Sequence, residues 1–136
     1  MIVLSDLSGR WRLTRRIEDF RTGQTGTLEG TCLWRPDDDG LRQEEAGVLS
    51  FGSAPAMQAT RVYLWRQDGA DLVVFFEDGR PFHRLSAQGL TDRHLCDPDT
   101  YDVTYEFGSW PDWTQEWRVT GPRKNARIFS RFQPLA

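Results

Sequence analysis

With 136 residues and a formal net charge of −3, from 17 Lys and Arg against 20 Asp and Glu, the chain is long enough to bury one core without disulfides or metals. That balance excludes a nucleic-acid backbone binder, which needs a clustered cationic excess. No window approaches the length of a membrane span, and the opening MIVLSDLSG lacks the basic flank and cleavage pattern of a signal peptide. These features predict a single cytoplasmic domain over residues 1–136, with no nucleic-acid or membrane partner.

Apolar and polar residues alternate repeatedly along the chain, and helical spacing is not convincing anywhere. Runs of strand length fall at 9–20, 24–35, 40–50, 56–66, 71–77, 80–86, 90–96, 101–108, 114–120 and 125–133. Between them lie the turn signals RTGQTG, RPDDDG, GSAPA, RQDGAD, EDGR, SAQG, CDPDT, GSWPDW and GPRKN. The sharpest is Asp78-Gly79, which predicts a two-residue hairpin turn with φ > 0. Ten short strands joined by tight turns predict an all-β fold: one up-and-down antiparallel barrel of about ten strands with little helix. Closing the meander removes its exposed edges. A two-sheet sandwich, the rival arrangement, usually needs longer crossing connections.

Gly9-Arg10-Trp11 at the head of the first run resembles the Gly-x-Trp of lipocalins and their calycin relatives. In those families an Arg of the last strand packs across the Trp, and ARIFSRF offers Arg127 and Arg131 for that place. The stretches GRWRLTRRI, TRVYLW, FEDGRPFHRL, HLCDPDTYDVTYEF and WTQEWRVTGPRKN resemble a bacterial family of lipocalin-like proteins with a domain of unknown function. The resemblance implies a ten-stranded calycin barrel and no activity. Only RTGQ separates the first two runs, where fatty-acid-binding barrels carry a helical pair. The architecture is therefore more similar to lidless nitrobindin-type barrels, some of which hold haem.

If Trp11 points inward, Leu13, Arg15 and Ile17 follow it. The same alternation aligns Ala59, Arg61, Tyr63 and Trp65, then Gln43 with Glu45, Tyr101 with Val103, Tyr105 and Phe107, and Trp113 with Gln115, Trp117 and Val119. A charge inside a barrel must be paired or hydrated. One reading pairs Arg15 or Arg61 with Glu45 or Glu29 and fills the interior. The other leaves Arg and Tyr facing a cavity, where they would hold an anionic head group under aromatic walls. Ten strands with 17 aromatic residues favour the cavity. Arg61-x-Tyr63 resembles, in chemistry though not in strand, the carboxylate clamp of fatty-acid-binding proteins.

The predicted function is therefore the binding of a small amphipathic or anionic-headed molecule. Arg15, Arg61, Tyr63 and Tyr105 would contact its polar end, and Trp65, Phe82, His83 and Trp117 complete the predicted site. An enzyme of isomerase or hydrolase type using His83 or His94 is the alternative, and haem on either histidine a second. His94-Leu95-Cys96 lacks two of the ligands zinc requires, so no metal site is predicted. As a Cys–His catalytic pair it lacks an orienting group. Cys32 and Cys96 read as free, partly buried thiols, Asp37 to Asp39 as a soluble hairpin tip, and Lys124, the only Lys, as part of a solvated turn. The Arg-for-Lys bias fits a GC-rich genome as well as anion recognition.

Overall fold

Alternation gives each strand one apolar face, and in the computed structural model those faces line the inside of a ten-stranded antiparallel sheet. The structure describes residues 2–86 and 88–135; Met1, Ala87 (within the SAQG turn signal) and Ala136 lie outside the described residues. The strands are β1 (Gly9–Asp19), β2 (Thr25–Asp37), β3 (Gly40–Phe51), β4 (Met57–Asp68), β5 (Asp71–Phe76), β6 (Pro81–Leu85), β7 (Thr91–Cys96), β8 (Asp99–Glu106), β9 (Trp113–Thr120) and β10 (Asn125–Pro134). Neighbours in sequence are neighbours in the sheet except β6 and β7, and β1 also pairs with β10, so the order β6-β5-β4-β3-β2-β1-β10-β9-β8-β7 nearly closes a ring. The predicted barrel and its ten strands are thus present, with every strand end within two residues. The opening that remains lies between β6 and β7. There a bridge between Ser86 and Gly89, and the Arg84 N–H donating to the Asp92 carboxylate at 2.7 Å, join the two lips.

Three local features differ from the expectation. Leu4–Leu7 forms one 3-10 turn, too short to carry helical periodicity. Glu77 to Arg80 form a longer connection than the predicted two-residue turn, with Gly79 alone in the left-handed region (φ 89). No arginine of β10 packs over Trp11: Arg127 pairs with Glu116 and Arg131 with Asp112 on the outer face. Trp11 instead lies against Trp34, Trp110 and Trp113 and donates its indole N–H to the Leu7 carbonyl at 2.8 Å.

The interior has three layers. At the end where β1 begins and β10 finishes, the 3-10 turn seats Leu4 and Leu7 beneath a cluster of Trp11, Trp34, Trp113 and Phe132, and this end is solid. Such edge-to-face and stacked pairs add to the stabilisation from buried area. Polar side chains form the middle layer. The opposite end, where β1–β2, β3–β4, β5–β6, β7–β8 and β9–β10 connect, is open. No helix among the described residues is long and apolar enough to cross a membrane.

Gly30 on β2 faces Gly47 on β3, and the two backbones approach so closely that a Cβ on Gly30 would lie 2.0 Å from the Ala46 carbonyl oxygen. Backbone cannot yield as a side-chain tip can. Gly30→Ala is therefore expected to destabilise the fold by about 2 kcal/mol, read as a lower urea midpoint at unchanged slope. The neighbouring outward Thr31→Ala should be close to neutral in the same measurement.

Candidate functional site

The middle layer is built on Arg15. It sits halfway along β1, while Glu45 lies two strands away on β3, and β2 between them places inward Leu28 beside Arg15 and Cys32 beside Glu45. The guanidinium spans that interval. Its Nη1 and Nη2 each donate to a Glu45 oxygen at 2.9 Å, and Nε donates to Ser130 Oγ at 2.7 Å. Gln43 donates to Glu45 at 3.0 Å and accepts the Trp65 indole N–H at 2.7 Å. Only 6% of Arg15 and 4% of Glu45 are exposed. Burial works to lower the Arg15 pKa, but the charge and hydrogen bonds of Glu45 outweigh it and hold the pKa above its ordinary value. Burial drives the nearby Cys32 thiol well above its ordinary range, so it stays protonated and unreactive.

A second group of buried polar side chains extends this layer. Gln115 Nε2 donates to Tyr105 Oη at 2.6 Å, and Tyr105 Oη lies 2.8 Å from His83 Nε2. Burial, with a smaller push from the charge of His94, lowers the His83 pKa from 6.5 to about 3, so the ring is neutral at physiological pH. Tyr105 then donates to Nε2 and leaves the ring proton on Nδ1, which has no partner among the described residues. His83 is inside because of a register shift: β5 and β6 slip between Val74 and Phe75, so Phe82 and His83 both face inward.

Above this floor lies a cavity of about 600 Å³. Phe76 and Phe82 stack in one wall (4.6 Å, 17°), and Trp117 stands across from them, 5.3 Å from Phe82 at 82°. Tyr63 and Tyr101 complete the apolar surface, and Arg61, Arg80 and His94 supply nitrogen groups. The cavity reaches the β6–β7 opening, where Pro81, Leu95, Cys96 and the exposed carboxylate of Asp97 line its edge. Arg80 is held by Asp78 at 2.7 Å and lies over Phe76. Arg61 forms no ion pair among the described residues; its Nη1 donates to Tyr63 Oη at 3.3 Å and its Cζ lies 5.7 Å from the centre of the Trp117 ring. Burial raises the Tyr63 pKa, against the opposing pull of Arg61.

Of the eight residues singled out from sequence, Arg61, Tyr63, Phe82 and Trp117 meet in this cavity. Trp65, His83 and Tyr105 belong to the packed interior beneath it. Arg15 does not reach it either, because Glu45 occupies its guanidinium. Arg61, placed inside by alternation, is exposed at the rim. Glu29 faces outward and pairs with neither arginine. His94 and Cys96 both line the cavity, but no hydrogen bond joins their side chains among the described residues. Phe76, Arg80 and Tyr101 were not in the predicted site. Alternation from Leu72 and Val74 points to Phe76, whereas Arg80 lies in a turn and carries no such signal. No group of three or more His, Cys, Asp or Glu that could hold a metal ion is present among the described residues.

Residues 7–134 match the family of unknown function DUF6314, and the chain belongs to that family. No curated protein matches the sequence. Among solved structures, the S-type phycobiliprotein lyase CPES from Guillardia theta superposes with a TM-score of 0.66 at 9% identity, over 98% of this chain and 90% of that one. At that identity the likeness is one of fold.

The depressed His83 pKa links stability to pH. Above pH 6.5 the ring is neutral in both states; below it the unfolded chain takes up a proton that the folded chain refuses, down to about pH 3. Stability is therefore expected to fall on acidification from pH 6.5 to 5, with His83 contributing up to about 1.4 kcal/mol per pH unit. Urea titrations of His83→Gln should show that slope removed; an unchanged slope would mean His83 is not held neutral.

Proposed function

For this DUF6314 member we propose that the open half of the barrel reversibly binds a small anionic, amphipathic molecule, with Arg61 as its principal anion contact. The observation that carries the reading is the contrast between two inward-patterned arginines. All three nitrogens of Arg15 are hydrogen-bonded to Glu45 or Ser130, whereas Arg61 overlooks an aromatic-walled cavity with, among the described residues, a single long hydrogen bond to a tyrosine. An apolar concavity with a few convergent polar groups is the usual form of a small-molecule site. A guanidinium at its rim supplies bidentate, charge-assisted contacts to a carboxylate or phosphate. Phe76, Phe82 and Trp117 would cover the apolar body, and Arg80 with Tyr101 would flank the head group. A phycobiliprotein lyase on the same fold is compatible with this use of the barrel, although fold does not fix function. Catalysis by His94 has weaker support, because among the described residues neither an orienting partner nor an adjacent nucleophile is hydrogen-bonded to it.

Calorimetric titration with decanoate tests the reading. Arg61→Gln is expected to weaken binding about tenfold or more, the worth of one charge-assisted contact. Arg12→Gln, on the outer face of β1, should leave it unchanged. A folded Arg61→Gln protein with wild-type affinity overturns the assignment.

A further inference from the structure

Arg61 lies on β4 and the ring beneath its guanidinium, Trp117, lies on β9. In the ten-strand order these are five strands apart, on opposite walls of the barrel. The side chain therefore crosses the mouth, and the space on either side of it differs in chemistry. On the β5–β8 side is the large cavity with its rings and nitrogen groups. On the β1–β3 and β10 side is a separate chamber of about 60 Å³, which Arg61 also lines. Its walls are aliphatic, formed by Ile17, Leu28, Leu49, Ala59 and Ile128, with Thr60 beside them. Its charged floor, Arg15 and Glu45, is already satisfied internally and offers a ligand no free charge.

We infer that Arg61 is a movable bar between two chambers, and that the smaller one is a subsite for the aliphatic end of the ligand. The inference rests on the anion reading above. An exposed arginine with one long hydrogen bond can turn onto an incoming carboxylate without breaking an ion pair. In doing so it leaves Trp117 and joins the chambers. A cavity of this size holds several water-sized groups, since one water needs roughly 10–15 Å³ by the same measure. That suits the last few carbons of a chain or a short branch, and excludes a second ring. The ligand class is then a carboxylate with an unbranched or short-branched alkyl terminus, its head on the Arg61 and Arg80 side and its tail under Ile17, Leu49 and Ile128.

Nuclear Overhauser measurements on methyl-labelled protein with bound decanoate locate the tail. Contacts from the terminal methyl of decanoate to the Ile17, Leu49 and Ile128 methyls are expected. Ala59→Leu, which fills the chamber, should weaken decanoate about tenfold and leave benzoate, which is too short to reach past Arg61, unchanged. If decanoate binds with its terminal methyl against Phe76, Phe82 or Leu95 alone, the subsite is wrong and the anion reading stands. If the folded wild-type protein takes up neither decanoate nor benzoate, both fall.

Discussion

The bidentate pair of Arg15 with Glu45 is the contact on which the interior of this barrel turns. Two charges taken out of water are tolerated only when their geometry is good and their remaining hydrogen-bonding groups are satisfied. Here Ser130 takes the third guanidinium donor and Gln43 supports the carboxylate, and Gln43 in turn receives the Trp65 indole. The chain thereby ties β1, β3, β4 and β10 together at mid-height. Below it the barrel can be packed solid with tryptophans, and above it the wall residues have no further polar obligation to the core.

That division explains why the open end has the composition of a site. Side chains above the floor are mostly aromatic or aliphatic, with Arg61, Arg80, His94, Cys96, Asp97 and Thr60 as the polar exceptions, and the sheet lacks a ladder between β6 and β7 at the same place. The register shift that turns both Phe82 and His83 inward serves the two layers at once. Phe82 goes to the cavity wall, and His83 goes to the floor as a neutral ring hydrogen-bonded to Tyr105. The superposition on the phycobiliprotein lyase shows how far this fold persists at 9% identity, which is why the argument for function rests on side chains.

Much of this was legible in the sequence. Period-two alternation and turn chemistry located all ten strands, and the same alternation identified Trp11, Leu13, Tyr63, Tyr105 and Trp117 as inward. What it does not carry is depth along the barrel axis. Arg15 and Arg61 have the same local pattern, and Arg61 is the direct cross-strand partner of Glu45, yet the buried carboxylate takes Arg15 from two strands away and Arg61 is exposed at the rim. Register alone does not decide it; which arginine the carboxylate takes is settled by packing among strands that are distant in sequence, a non-local property. The shift at Phe82 and the turn position of Arg80 were hidden for the same reason: neither follows the alternation on which face assignments rest. Gly-x-Trp correctly marked the first strand, but the arginine associated with it is replaced here by an all-aromatic cluster.

The central claim is that Arg15 is scaffold and Arg61 is recognition. It is tested most directly by the affinity for benzoate, which does not reach the chamber floored by Arg15 and Glu45, in the paired substitution Arg15→Met with Glu45→Leu, which exchanges a buried ion pair for apolar volume and leaves no orphaned charge. The account predicts a folded protein, since an apolar exchange of this kind is often neutral for stability, that binds benzoate within about threefold of wild type. A folded variant whose affinity has dropped more than tenfold would show that the ligand's anion is held by Arg15, and would contradict the account.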